Sequence, residues 1–300
     1  MTLLGFPLES WIAQFYVGLV NGCVFILLAL GLSIIFGLMG IVNFAHGAFY
    51  MLGAYAAYSV IAGTGSYWIA LAAAPVVVGV IGLGLERGIV RRIYRAKNPA
   101  FAGVLVTYGL SILLPDLIRM IYGRPGKPVR IPPQLTGDLF TIGGTKLGAY
   151  RLFILIVTAI VLPLLWLLLN KTNLGLVIRA GTSDSLMVQA LGINVSRVWT
   201  IGFGLGIALA AFGGVVTAPM IAVAPEMGGT ILIQCFIVVV IGGMGSFAGP
   251  IAGGLIIGQV LSLTSMVYDV LADVIIYVAM AAVLLLRPRG LFGIEGAPED

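Results

Sequence analysis

The stretch FGLMGIVNFAHGAFYMLGAY, residues 36–55, lies within a long run of the sequence that carries no charged residue. No Asp, Glu, Lys or Arg occurs between Glu9 and Glu86, and in the whole chain only 9% of residues are charged while 60% are hydrophobic. A helix spans a bilayer with about 20 apolar residues, so this run must cross and fold back. Breaks are predicted at Gly37–Gly40 and Gly63–Ser66, where turn-forming residues cluster. The composition indicates an integral membrane protein.

Nine apolar segments are long enough, or nearly so, to cross a membrane: residues 11–36, 42–62, 67–85, 101–122, 152–169, 199–218, 229–243, 250–267 and 274–286. The predicted fold class is all-α, a polytopic transmembrane helical bundle that forms one domain over residues 1–300. It has about eight to nine spans, some of them broken or half-length helices. Because the first basic residue is Arg87, no positively charged flank of a cleaved signal precedes the first segment, which is predicted to be a retained helix.

Basic residues predict the orientation of the bundle. Five basic residues and one acid lie in residues 86–97, basic residues also outnumber acids in residues 170–198, and the C-terminal tail begins with Arg287 and Arg289. By the positive-inside rule these three segments are cytoplasmic. Because each span takes the chain to the other side of the membrane, the N-terminus is then predicted outside and the C-terminus in the cytoplasm. Residues 123–150 are predicted to form an external loop.

The predicted external loop, residues 123–150, is itself basic, with four basic residues against one acid, Asp138. The positive-inside rule disfavours this, but the opposite orientation places three basic segments outside instead of one. Prolines exclude a long helix from the loop. LFTIGGTKL, residues 139–147, is typical of a short hairpin that turns at Gly143–Gly144, and we expect an ordered external cap.

Small residues recur at every fourth position in three places. Lipid gives helices no hydrophobic reason to associate, so such stripes indicate surfaces where helices approach closely. Packing within one subunit is favoured over a dimer face. The stripes are Gly202, Gly206, Ala210 and Gly214; Gly18 and Gly22; and Gly254 and Gly258.

The sequence lacks the side chains that most catalytic and metal sites require. His46 is the single histidine and has no acid nearby, while Cys23 and Cys235 lie apart in apolar stretches. None of the lysines has a GxxxxGK[ST] context, so any ATP hydrolysis must come from another chain. We therefore expect a protein that is not an enzyme, with no catalytic residue, metal or cofactor. The formal net charge of +5 fits basic cytoplasmic loops, and no nucleic-acid partner is expected.

Residues 179–193, RAGTSDSLMVQALGI, predict a short amphipathic helix inside a polar loop. Ser and Asp within residues 182–185 are typical of a helix start, and Gly192 is typical of a helix end. Four apolar residues then share one face: Leu186, Met187, Ala190 and Leu191. A patch this small binds a bilayer weakly, so docking into a groove on a partner protein fits it better.

This segment resembles the cytoplasmic motif of ABC importer permeases, in which an Ala is followed by a Gly and a short helix transmits ATPase motion to the membrane domain. Ala190 and Gly192 lie closer together than in the commonest form of that motif. Three further stretches extend the resemblance: residues 36–55, VIGGMGSFAGPIAGGLIIG (240–258) and RPRGLFG (287–293). Together, and in register over nearly the whole chain, they resemble the branched-chain amino acid importer permease family.

The resemblance implies partners, a location and a set of contact residues. It implies a subunit of the bacterial cytoplasmic (inner) membrane that pairs with a second homologous permease subunit, two cytoplasmic ATP-binding subunits and an extracytoplasmic solute-binding protein. Residues 170–198 then form the cytoplasmic coupling loop. The residues expected at the ATPase contact are Arg179, Asp184, Leu186, Met187, Ala190, Leu191 and Gly192.

Asn43 and His46 are polar side chains in an otherwise apolar stretch. At helical spacing Asn43, His46 and Tyr50 share a face that must point to protein or water. This stripe either lines the translocation path or satisfies backbone groups freed by the break near Gly40. Both interpretations make these positions intolerant of apolar replacement.

The leading hypothesis is a permease subunit that imports branched-chain or related amino acids. A urea or short-amide permease of the same family is the alternative, because the motifs do not separate these substrates. No charged pocket for an amino acid is evident, so selectivity is expected in the binding protein. A passive channel would need no coupling helix. Proton or sodium coupling is disfavoured, because Asp116 alone comes near the middle of a span.

Overall fold

The computed structural model describes residues 2–3, 6–93, 97–142, 145–183 and 185–293. Within these ranges the chain is predominantly helical, as predicted, with two short pairs of strands. The helices are α1 (Leu8–Met39), α2 (His46–Thr64), α3 (Tyr67–Leu85), α4 (Arg91–Ile93), α5 (Pro99–Tyr122), α6 (Ala149–Lys171), α7 (Asn173–Ser183), α8 (Ser185–Ala190), α9 (Val195–Thr217), α10 (Met227–Gly242), α11 (Ala248–Val267) and α12 (Asp269–Leu286). The strands are β1 (Thr2–Leu3), β2 (Phe6–Pro7), β3 (Asp138–Ile142) and β4 (Thr145–Gly148).

Seven of the described helical stretches are long and apolar enough to cross a membrane: α1, Tyr67–Ile93, α5, α6, α9, α11 and α12. α10 is apolar but shorter, with 16 residues. α2 contains His46 and three tyrosines and is not among the seven. Each of the nine predicted apolar segments forms a helix in the structure. Because seven of the described helical stretches are long and apolar enough to span, the chain is a multi-pass membrane protein.

Glycines end α1 and α2 where the sequence predicts breaks. Gly40 has a φ of 62° and donates its N–H to the carbonyl oxygen of Phe36 at 2.8 Å. Gly65 has a φ of 70° and closes α2 in the same way. Such left-handed backbone is easy for glycine and costly for residues with a Cβ atom. α3 begins directly afterwards, because the Ser66 side chain accepts the N–H of Ile69 at 3.4 Å.

The chain divides into two compact units. The central unit contains residues 30–130 and 161–233, and the terminal unit contains residues 1–29, 131–160 and 234–300. Each unit has its own close contacts between helices, and the central unit contains Asn43, His46 and Tyr50.

In the central unit, α9 packs against α2 and α3 through small residues. A Cβ atom at Gly214 would overlap the carbonyl oxygen of Tyr50 on α2, and one at Gly53 would overlap the backbone of Ala211 on α9. The backbones of α2 and α9 are therefore in direct contact, which small residues allow. The stripe at residues 202–214 packs within the chain, as predicted.

In the terminal unit, the other two stripes face each other. A Cβ atom at Gly258 would lie 2.5 Å from the carbonyl oxygen of Gly18, and one at Gly22 would lie 3.0 Å from the carbonyl oxygen of Gly254. α1 and α11 thus approach closely within one subunit. The prediction of internal packing is confirmed for these four glycines.

The terminal unit also contains the predicted hairpin. β3 and β4 are antiparallel, with Ile142 paired to Thr145, and the predicted turn at residues 143–144 lies outside the described residues. The N–H of Ala149 donates to the carbonyl oxygen of Gly137 at 2.9 Å at the base of the hairpin. Part of the stretch predicted to form an external cap is therefore regular secondary structure.

Residues 170–198 contain more helix than the sequence predicts. The sequence indicates one short helix, whereas the structure has both α7 and α8 before α9 begins. Thr172 caps the start of α7, because its hydroxyl oxygen accepts the N–H of Gly175 at 3.2 Å. The two glycines and the threonine of α7 lower its helix propensity, so this helix depends on its cap and on tertiary contacts.

Candidate functional site

Asn43 lies in the break between α1 and α2, and not on the helical face where the sequence places it. Its side-chain Oδ1 accepts the N–H of Ala45 at 3.1 Å, and its carbonyl oxygen accepts the N–H of His46 at 3.2 Å. These N–H groups at the start of α2 have no acceptor within the helix. The predicted common face of Asn43, His46 and Tyr50 is therefore wrong for Asn43, because a short amide side chain binds nearby backbone in preference to continuing a helix.

Thr107 of α5 supports the same break, a role that the sequence analysis missed. Its Oγ1 accepts the N–H of Phe44 at 3.2 Å and donates to the carbonyl oxygen of Gly103 at 2.8 Å. Thr107 is 1% exposed. The contact is not predictable from the sequence, because Thr107 is one hydroxyl in an apolar span and its partner lies 63 positions away.

His46 begins α2 and is completely buried, with an exposed fraction of 0%. Its ring lies where α1 and α9 meet. A Cβ atom at Gly31 would lie 2.5 Å from the carbonyl oxygen of Gly206 and 3.1 Å from the His46 Cε1 atom. Glycine at both positions lets the two backbones approach each other beside the imidazole.

The next turn of α2 is packed equally tightly. A Cβ atom at Gly47 would overlap the carbonyl oxygen of Gly228 at the start of α10. Tyr50 is 1% exposed and hydrogen-bonds the side chain of Thr217 on α9. The structure thus brings together Asn43, His46 and Tyr50, the residues predicted to line a translocation path, around the first turn of α2. Asn43 accepts hydrogen bonds from the backbone there, and His46 and Tyr50 lie one turn apart on the helix.

Replacing Thr107 with valine is expected to destabilise this break. Valine keeps the shape but removes the oxygen, which leaves the partly buried N–H of Phe44 without that acceptor. Such a loss costs about 1–3 kcal/mol, so thermal unfolding of the purified protein in detergent should begin at a lower temperature. Thr107→Ser keeps the oxygen and is the matched control. Equal unfolding temperatures for Thr107→Val and the unmodified protein would contradict a stabilising role for this hydrogen bond.

Within residues 179–193, α8 ends at Ala190, directly before the helix end predicted at Gly192. Gly192 has a φ of 79°. Its N–H donates to the carbonyl oxygen of Gln189 at 2.9 Å, and the N–H of Ile193 donates to that of Val188 at 3.3 Å. These are the two hydrogen bonds of a Schellman motif, so Gly192 fixes the direction in which the chain leaves α8.

Four of the predicted contact residues are exposed on and just after α8: Met187, Ala190, Leu191 and Gly192. The three apolar ones, Met187, Ala190 and Leu191, are here called the docking patch. Met187 is 60% exposed and Leu191 is 73% exposed, whereas Val188 is only 4% exposed. The apolar side chains of Met187 and Leu191 are therefore largely exposed, while that of Val188 is buried. Asp184, another predicted contact residue, lies outside the described residues, and of Leu186 the structure describes only the backbone.

Arg179, in contrast, is bound within the chain. Its Nη1 donates to the carbonyl oxygen of Leu169 and lies 3.3 Å from Oδ1 of Asn170, both at the end of α6. This contact ties α7 to α6. No sequence pattern indicates this contact, because the acceptors are a backbone carbonyl and an amide and not an acid.

Comparison with known proteins identifies the family. Residues 15–284 match the family described as branched-chain amino acid transport system / permease component. The chain is 29% identical to the high-affinity branched-chain amino acid transport system permease protein LivH of Salmonella typhimurium, over 94% of this chain and 96% of that protein. It is 30% identical to the corresponding protein BraD of Pseudomonas aeruginosa, with 94% and 96% covered. It is 28% identical to LivM of Salmonella typhimurium, with 78% and 60% covered. Because the family match includes every described helix from α2 to α11, the chain belongs to the branched-chain amino acid transport system permease family.

Proposed function

We propose that this chain is the membrane-spanning permease subunit of a binding-protein-dependent ABC importer that moves branched-chain or related amino acids into the cell. The membership of a transport permease family and the apolar helices establish the general role of a transport subunit. The direction of transport, its source of energy and the partners are the proposal. The observation that carries it is the docking patch, which is apolar, exposed and directly connected to α9.

The docking patch suits a groove on an ATP-binding subunit. Met187 and Leu191 are four residues apart and flank the small Ala190, so a partner can approach the helix closely between two apolar side chains. An exposed apolar patch of this kind on a polar loop favours contact with a protein. After Gly192 the chain turns directly into α9, whose start is capped by Asn194 through the N–H of Arg197 at 3.2 Å. A displacement of α8 therefore acts directly on α9.

The proposed path lies along the faces of α2 and α9 near Asn43, His46 and Tyr50. Each of these side chains is at most 1% exposed, so a solute reaches them only after the surrounding helices separate. Among the described residues, none accepts a hydrogen bond from Nδ2 of Asn43, which leaves an amide donor for a passing solute. α9 contacts Tyr50 through Gly214, and this contact connects the proposed path to the helix that follows α8.

We infer the partners from the chemistry and from the relatives. The chain has no nucleotide-binding motif, so two separate ATP-binding subunits are required on the side of the docking patch. LivH and LivM of Salmonella typhimurium are both named as permease proteins of high-affinity branched-chain amino acid transport, which favours a second homologous permease beside this one. An extracytoplasmic solute-binding protein delivers the amino acid and supplies selectivity. We place the complex in the bacterial cytoplasmic membrane, with the N-terminus and residues 123–150 outside and residues 170–198 in the cytoplasm.

The names of the relatives favour amino acids over urea or short amides as the substrate. The membrane helices around the proposed path carry neutral polar groups, which suits a zwitterion that crosses as a neutral whole. The solute-binding protein's ligand, measured by calorimetry with leucine and urea, distinguishes the two substrates.

The energetic part of the proposal predicts that the purified chain alone neither binds nor hydrolyses ATP. The complete complex should hydrolyse ATP, and the activity should follow the ATP-binding subunits through purification. Nucleotide binding is measured by equilibrium dialysis and hydrolysis by phosphate release. ATP hydrolysis by a preparation shown to lack partner subunits would contradict this assignment.

A further inference from the structure

Glu86 is the first acidic residue after Glu9, and it is completely buried, with an exposed fraction of 0%. It lies at the end of α3 in the central unit. The sequence places it in a basic cytoplasmic segment and gives no reason to expect burial. A buried carboxylate is costly unless charged and hydrogen-bonded partners surround it, so its contacts indicate why it is there.

The partners of Glu86 come from α4 and from the first turns of α9. The hydroxyl of Thr200 lies 2.6 Å from Glu86 Oε2 and donates its proton there, because a carboxylate is a stronger acceptor than the Ser196 carbonyl 2.9 Å away. Arg91 Nη2 donates to Thr200 Oγ1 at 2.8 Å and to the carbonyl oxygen of Ser196 at 3.3 Å. Arg91 Nε lies 3.7 Å from Glu86 Oε1. Together these four residues, Glu86, Arg91, Ser196 and Thr200, are here called the Glu86 clamp.

A π-helical turn, Glu86–Val90, makes this geometry possible. The N–H of Arg91 donates to the carbonyl oxygen of Glu86, five residues back. In an α-helix, residues five apart point about 140° away from each other. The wider turn brings the acid and the base to the side that faces α9. Such turns are rare and occur frequently at functional sites.

The clamp holds the part of α9 that is closest to the docking patch. α9 begins at Val195, three residues after Gly192, and Ser196 and Thr200 are in its first turns. Farther along, α3 and α9 touch through apolar contacts of small residues, such as Gly204 with Leu83 and Gly82 with Ile207. Apolar contacts have no preferred direction, so they resist sliding of the two helices less than directional contacts do. Hydrogen bonds to a charged group do not.

We propose that Glu86 is a positioning residue, which locks α3 to the start of α9 so that a displacement of α8 moves both helices together. Without the lock, sliding between α3 and α9 leaves α3 behind. Because α2 packs against both α3 and α9, only the α9 side of the residues around His46 and Tyr50 then moves. This inference rests on the proposed function, because it assumes that the docking patch receives the motion of an ATPase.

The test compares two variants at one position in the complete complex, reconstituted into vesicles. Thr200→Val keeps the shape and removes the hydroxyl, whereas Thr200→Ser keeps the hydroxyl. ATP hydrolysis and leucine uptake are measured in the same vesicles. We expect Thr200→Val to assemble and hydrolyse ATP at nearly the unmodified rate, with at least a tenfold fall in leucine transported per ATP. Thr200→Ser should keep the unmodified ratio, and Glu86→Gln should resemble Thr200→Val.

The possible outcomes distinguish a failure of the clamp proposal from a failure of the proposed function. If unmodified vesicles take up leucine with ATP but Thr200→Val has the same ratio of leucine to ATP, the clamp proposal is wrong and the proposed function stands. If Thr200→Val and Glu86→Gln lose both activities in proportion to the loss of folded complex, the clamp is a stability element and the proposal is also overturned. If the unmodified complex shows no ATP-dependent uptake, the proposed function itself is contradicted.

Discussion

Replacing Ala190 with aspartate is expected to abolish amino-acid uptake while the protein still inserts into the membrane. Ala190 lies between Met187 and Leu191 in the docking patch and is exposed in the chain alone. In the assembled complex the new carboxylate would be enclosed by an apolar groove without a partner. Such burial costs about 3–5 kcal/mol, which weakens docking by at least about 100-fold. The ATP-binding subunits should therefore be lost during purification, and uptake should disappear.

Ala190→Ser is the matched control, because serine is nearly as small and carries no charge. It should retain both the ATP-binding subunits and most of the uptake. The solute-binding protein should keep its affinity for ligand in both variants, since it is a separate chain. Full uptake by Ala190→Asp with stably bound ATP-binding subunits would show that the docking patch is not the coupling contact, and would favour a passive channel.

Replacing Gly214 with alanine is expected to destabilise the packing of the membrane helices. A Cβ atom at this position would overlap the carbonyl oxygen of Tyr50, which is backbone and cannot move aside alone. α2 and α9 must therefore separate along their seam. Overpacking of this kind costs about 1–3 kcal/mol, and a rigid backbone contact belongs at the upper end. The yield of monodisperse protein in detergent and its unfolding temperature should both fall clearly.

Gly84 offers a control with the same chemical change. It lies inside α3, and apart from neighbouring residues of that helix no atom of the described chain comes within 4 Å of an added Cβ atom. Gly84→Ala should leave the protein unchanged or stabilise it by up to about 1 kcal/mol through helix propensity. Unfolding temperatures are compared in the same detergent. If the two variants unfold alike, the seam between α2 and α9 is looser than the close contact of Gly214 and Tyr50 indicates.

Much of the fold follows from the sequence, because strong local signals determine it. The run without charges between Glu9 and Glu86 requires several spans, and Gly40 and Gly65 end helices where glycine clusters predict breaks. The spacing of Gly206 and Gly214 predicts a close helix contact, which the structure confirms. Each of these signals lies within a few residues of the feature that it predicts.

The parts that the sequence does not reveal depend on the exact start of a helix or on contacts between residues distant in the chain. Asn43 lies off the helix because its side chain binds the N–H of Ala45, and helical spacing alone cannot indicate where α2 starts. Thr107 reaches the same break from α5, and Glu86 is buried by a π-helical turn and by Thr200. The contacts of Thr107 and Glu86 join residues that are far apart in the sequence, so a pattern within one segment does not indicate them.

Leucine uptake into vesicles that contain the complete complex, with ATP supplied on the side of the docking patch, tests the central claim most directly. We expect uptake that requires the solute-binding protein on the opposite side and that ceases when a non-hydrolysable ATP analogue replaces ATP. Uptake should be lost in Ala190→Asp but not in Ala190→Ser. Uptake that proceeds in the absence of ATP, or with this chain as the sole protein in the vesicle, would contradict it.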